Sequence, residues 1–133
     1  MDKELKRFMG KLKNVHGFNR VRFVILFGSR AEKKARKDSD YDLAVYFDGD
    51  KNERFKFRVS VSEDERFDVH IFQDLPLYIR KEVLKGKVLY AEDLSFVYDI
   101  AYETIKAFED FKKYYYDYIE MRPVADDQKK SES

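Results

Sequence analysis

Gly28-Ser29 ends an apolar run, and after ten intervening residues comes Asp40-Tyr41-Asp42. A turn that frees backbone N–H groups and two carboxylates one residue apart suit a nucleoside triphosphate and its magnesium. Gly28 has no Cβ, so the backbone can turn sharply there and phosphate oxygens can approach closely. Ser29 adds a hydroxyl where a short helix could begin. On a strand, Asp40 and Asp42 project from one face, and carboxylates that close repel each other unless cations sit between them. Hard oxygen ligands facing a phosphate site favour Mg²⁺, or Mn²⁺ in its place. A third acid is expected from a neighbouring strand, and Asp68 in Phe67-Asp68-Val69-His70-Ile71-Phe72 supplies it. An unpaired charge on a half-buried strand is costly, so Asp68 needs a cation or a function.

The elements that must position these groups are legible in the patterning. Val21–Phe27 is an almost unbroken apolar run, which predicts a strand buried on both faces. Tyr41–Phe47 alternates as a second strand, with Tyr41, Leu43, Val45 and Phe47 on the face opposite the acids. In the third, Phe67, Val69 and Ile71 form one face and Asp68, His70 and Phe72 the other.

This ordered set resembles the minimal nucleotidyltransferases of the DNA polymerase β-like superfamily, whose signature is Gly-Ser, a variable gap, Asp-x-Asp and a later Asp on the next strand. The resemblance covers most of residues 1–120. It implies an α/β (α+β) fold, a small mixed sheet with flanking helices. It also implies a two-metal, in-line nucleotidyl transfer with two Mg²⁺ ions. Asp40, Asp42 and Asp68 would be the catalytic and metal-binding residues, and Gly28, Ser29 and Arg30 the nucleotide-binding ones. Many relatives continue Gly-Ser-x-Ala-Arg-Gly, whereas this chain reads Gly28-Ser29-Arg30-Ala31-Glu32-Lys33, with Glu32 and Lys33 where those relatives have the arginine and glycine. Chains of this size are often encoded with a HEPN-domain toxin ribonuclease, and family members transfer AMP from ATP to a tyrosine hydroxyl on it. The implied partners are therefore ATP and a HEPN toxin. Two other readings stay open: modification of a small molecule such as an aminoglycoside, and masking of the toxin by binding alone.

Composition bounds the rest. The chain has 133 residues, 44% of them hydrophobic, which suits one domain over residues 1–122 and leaves no room for a second substrate-binding domain. Cysteine is absent, which excludes disulfides, thiolate metal sites and a thiol nucleophile. With no signal-peptide or membrane-length apolar run, a soluble, cytoplasmic protein is expected. Charged residues make up 40% yet nearly cancel to +1, which argues against a coat for nucleic acid; no direct nucleic-acid binding is expected. The same mixture, with few Asn and Gln, is seen in ion-pair-rich thermophile proteins. Oligomeric state is left open.

Leu5, Phe8, Met9, Leu12 and Val15 recur at helical spacing and predict a helix from residue 2 to about 15. Residues 50–65 are ambiguous, since Phe55, Phe57, Val59 and Val61 alternate like a strand, and the family resemblance favours a helix. Asp74 reads as an N-cap and Pro76 as a first-turn residue, for a helix over about 75–85 closed by Gly86, before a short strand from Lys87 to Tyr90. From Asp93, a second N-cap, the positions Leu94, Val97, Ala101, Ile105, Phe108, Lys112, Tyr115 and Ile119 describe one long helix to about residue 120 that must bury its stripe. Residues 123–133 read as a disordered tail.

The remaining chemical side chains have plainer readings. The basic run Lys33–Lys37 is either a solvated face or a phosphate neutraliser. His70 shares the face of Asp68 but reads as a hydrogen-bonded strand histidine, not a catalytic one, and His16 as a loop residue. Tyr114, Tyr115, Tyr116 and Tyr118 read as packing or interface residues.

Overall fold

The computed structural model describes residues 1–28, 31 and 40–120. Ser29, Arg30, the basic run at 33–37 and the tail at 123–133 lie outside the described residues. Four strands, β1 (Val21–Phe27), β2 (Tyr41–Phe47), β3 (Phe67–Ile71) and β4 (Lys87–Ala91), form one sheet in the order β3-β2-β1-β4. β1 pairs antiparallel with β2 and β4, while β2 and β3 run parallel. The helices α1 (Lys3–Lys13), α2 (Lys51–Ser60), α3 (Leu77–Val83) and α4 (Leu94–Glu120) flank it.

The alternation read in β2 and β3 decides which helix meets which face. Tyr41, Leu43, Val45 and Phe47 from β2, with Phe67, Val69 and Ile71 from β3, pack against Leu5, Phe8, Met9 and Leu12 of α1 and Phe57 of α2. Asp2 caps α1 by accepting from Leu5 N at 2.8 Å, and its second oxygen accepts the Tyr41 hydroxyl at 2.7 Å, so one carboxylate starts the helix and pins it to β2. The opposite face carries Phe23, Ile25, Ala44 and Phe72, packed on Val83 of α3 and Val97 of α4.

Residues 50–65 resolve as helix over Lys51–Ser60. Asp50 and Glu53 form a reciprocal capping box there, and Phe57 is buried while Phe55 and Val59 are exposed. The alternation of apolar residues at 55–61 therefore does not mark a strand.

Asp74 is not the cap of α3. Its carboxylate is held by the Arg54 guanidinium, with Nη2 at 2.8 Å and Nε at 3.2 Å, and the cap position falls on Pro76. Leu75 precedes that proline and is extended (φ −81°, ψ 149°), as proline requires of its neighbour, so the helix cannot begin before it. Asp93 does take up its cap role, accepting from Ser95 N at 3.0 Å and Ser95 Oγ at 2.7 Å. At Gly86, a Cβ would stand 2.1 Å from the Leu26 carbonyl oxygen of β1, so only glycine allows the chain past β1 into β4.

The stripe of α4 is not buried along its length. Val97 and Ile119 are buried, but Leu94, Ile105 and Tyr115 are nearly half exposed. A helix of 27 residues is about 40 Å long, more than a sheet of five- to seven-residue strands can cover. Tyr98, Tyr102, Phe111, Tyr114, Tyr116 and Tyr118 are all exposed. Among the described residues no helix is long and apolar enough to cross a membrane.

Candidate active site

β-register brings the sequence-predicted groups into one row. Phe27 at the end of β1 stands opposite Asp42 of β2, and Asp42 opposite Asp68 of β3. Gly28 follows Phe27 with φ +75°, and a Cβ there would lie 2.6 Å from Asp42 Oδ2. The left-handed backbone and the missing side chain are both needed, because the turn closes directly over the carboxylate.

Asp42, Asp68 and His70 converge, with one ligand atom from each lying within 4.8 Å of the others. His70 Nε2 stands 3.1 Å from Asp68 Oδ2 and 3.9 Å from Asp42 Oδ1. Alanine at position 44, opposite His70 in the register, keeps the face beneath the imidazole low. The ring tilts against Phe27 with centroids 5.7 Å apart, although β1 and β3 are separated by β2. The neighbouring carboxylates of Asp42 and Asp68 raise the His70 pKa above its ordinary value, against partial burial and the charge of Arg58. The Asp42 and Asp68 side chains keep 34% and 51% of their surface in solvent, so substrate can reach them.

Asp40 lies one residue before β2, exposed and outside the converging group. Ser29 and Arg30 lie outside the described residues. Asp42, Asp68 and Gly28 are thus brought together, and His70, read from sequence as a plain strand histidine, joins them. Its signal was its place two residues after Asp68 on the same face.

A pair of carboxylates with an imidazole at this spacing fits a divalent cation. Ligands at about 2.0–2.6 Å from one shared ion stand roughly 3–5 Å from each other.

A sheet of this order with paired acids across β2 and β3 and a glycine turn facing them defines a nucleotidyl-transfer core. The pattern of the family described as "Polymerase beta, Nucleotidyltransferase" matches residues 10–95, and the chain belongs to that family. A Methanocaldococcus jannaschii protein, provisionally named a protein adenylyltransferase, is 32% identical over 73 residues, which are 54% of this chain. The match spans 57% of that protein's length. Among solved structures, a chain from a toxin–antitoxin complex with AMP-PNP superposes with a TM-score of 0.66 at 18% identity, over 86% of this chain and 95% of that one. A chain from the complex of a tri-AMPylated Shewanella oneidensis HEPN toxin with MNT antitoxin gives 0.63 at 18% identity, over 90% and 97%. At these identities the structural likeness concerns the fold.

Proposed function

We propose that the chain is a nucleotidyltransferase antitoxin that transfers AMP from ATP to a tyrosine hydroxyl of a HEPN toxin. The observation that carries this is the convergence of Asp42 and Asp68 beside the Gly28 turn, on a core of the polymerase beta nucleotidyltransferase family. The adenylyltransferase name of the M. jannaschii relative and the toxin–antitoxin complexes of the same fold support the acceptor.

In this reading Gly28, Ser29 and Arg30 would hold the phosphates, and Asp42 and Asp68 would hold divalent cations, with Asp40 completing the ligands of a second ion. Bound there, two Mg²⁺ ions would neutralise the triphosphate and lower the pKa of the acceptor hydroxyl. The acceptor oxygen bonds to the α-phosphorus as the bond from that phosphorus to the bridging oxygen breaks. Pyrophosphate leaves on the opposite side, and the hydroxyl proton passes to a carboxylate or to water.

The exposed aromatic face of α4 suits a protein acceptor. Phe111, Tyr114 and Tyr118, at i, i+3 and i+7 on one helix face, are each more than half exposed, and exposed aromatic surface of this kind marks interfaces. The test is co-incubation of the chain with ATP, Mg²⁺ and the product of the neighbouring reading frame, followed by intact mass measurement. A gain of AMP on the partner is expected. A complex that inhibits without any mass gain would reduce the function to masking, and consumption of ATP only with a small-molecule acceptor would move it to that class.

A further inference from the structure

Two carboxylates would hold the cations of this site, and an imidazole stands beside them. One nitrogen of His70, Nε2, faces both Asp68 Oδ2 at 3.1 Å and Asp42 Oδ1 at 3.9 Å. A simple ion pair needs one carboxylate; here a single nitrogen is presented to two. Its side chain is only 25% exposed, and Phe27 packs on the ring, so this orientation is held before any ligand arrives. The separations are those of neighbouring ligands around one ion, which stand roughly 3–4 Å apart when each bond is about 2.1 Å.

We propose that His70 is a direct nitrogen ligand of the cation held by Asp42 and Asp68, and that it turns the site toward Mn²⁺ over Mg²⁺. The proposal rests on the metal-dependent reading of the site and adds to it the identity of a ligand and of the favoured ion. Mg²⁺ prefers an all-oxygen shell and gives up water reluctantly, whereas imidazole binds first-row transition ions well. Replacing one oxygen position by nitrogen therefore strengthens Mn²⁺ binding and does little for Mg²⁺.

The experiment uses the full chain with Mn²⁺ alone and no nucleotide. Pulsed electron paramagnetic resonance reads the modulation from a directly bound ¹⁴N, and calorimetry reads the dissociation constants for Mn²⁺ and Mg²⁺. The nitrogen modulation is expected in the wild type and in His16→Gln, and its loss is expected in His70→Gln. His70→Gln should weaken Mn²⁺ by about tenfold or more, the scale on which metal sites respond to lost ligand support, and Mg²⁺ by less than about twofold. The wild-type spectrum decides the ligand even if the variant is unstable. Mn²⁺ binding that depends on Asp42 and Asp68 but shows no bound nitrogen overturns the ligand role of His70 and leaves the nucleotidyltransferase reading standing. Equal weakening of both ions in His70→Gln overturns the preference. If Asp42→Asn and Asp68→Asn bind Mn²⁺ as the wild type does, the metal reading itself fails.

Discussion

A Cβ on Gly28 would stand 2.6 Å from the Oδ2 of Asp42, so the Gly28 turn and the Asp42 carboxylate cannot be altered independently. Gly28→Ala adds left-handed strain of about 1 kcal/mol or more and pushes the Asp42 carboxylate aside. Because that carboxylate can rotate into solvent, the fold should survive while transfer is lost. Gly28→Asn separates the two effects, since asparagine tolerates positive φ but still crowds Asp42. A higher melting temperature for Asn than for Ala, with equally poor transfer, is the expected result.

Asp42→Asn and Asp68→Asn should each reduce AMP transfer by more than roughly a hundredfold, beyond the usual cost of losing a metal's outer-shell partner. Asp40→Asn is expected to abolish transfer as well, yet to leave nucleotide-free Mn²⁺ binding intact, because Asp40 lies outside the converging group. Calorimetry beside a transfer assay distinguishes the three. Loss of nucleotide-free Mn²⁺ binding in Asp40→Asn would place that acid in the same cation shell.

His70 carries a raised pKa through the neighbouring carboxylates of Asp42 and Asp68. Its stabilising contribution is complete below the ordinary value near 6.5 and fades as pH rises through the higher folded value. Thermal melts in EDTA should therefore show His70→Gln destabilised relative to wild type at pH 5.5, with the gap closing by pH 9. A gap that widens with pH would reverse the sign of the coupling.

Asp74 contributes through Arg54 and not as a helix cap. Asp74→Ala should cost about 1 kcal/mol, the scale of a charge-assisted hydrogen bond; Arg54→Ala, which also loses the 2.9 Å bond from Nη1 to Gly49 O, should cost more, and the double variant little more than Arg54→Ala alone. Additive losses in urea melts would mean that Asp74 supports α3 independently.

The exposed ring face of α4 predicts a split between stability and binding. Phe111→Ser and Tyr114→Ser touch little within the chain and should shift stability by less than about 0.5 kcal/mol. Each should weaken the partner complex by about 1–2 kcal/mol or more if these rings are anchors. Calorimetric titration of the partner, with melting curves as control, measures both.

The strand faces, and the meeting of Gly28, Asp42 and Asp68, were legible from residue order alone. Periods of two and of three to four are local properties, and Gly28, Asp42 and Asp68 each carry their meaning in residue type and in the element that holds them. The family resemblance added the nucleotide-binding expectation for Arg30 and the helical reading of residues 50–65, where Phe55, Phe57, Val59 and Val61 left strand and helix tied. Three matters needed the tertiary structure. Asp74 had a capping residue's type and position, but Arg54, 20 residues earlier in the chain, claimed its carboxylate. The α4 stripe had the period of a buried face, but periodicity cannot say how far the neighbouring sheet extends, and the rings beyond it stand in solvent. His70 had the type of a satisfied histidine, and only the pairing of β3 with β2 set its Nε2 between Asp68 and Asp42, because register is decided by contacts between strands and not within them.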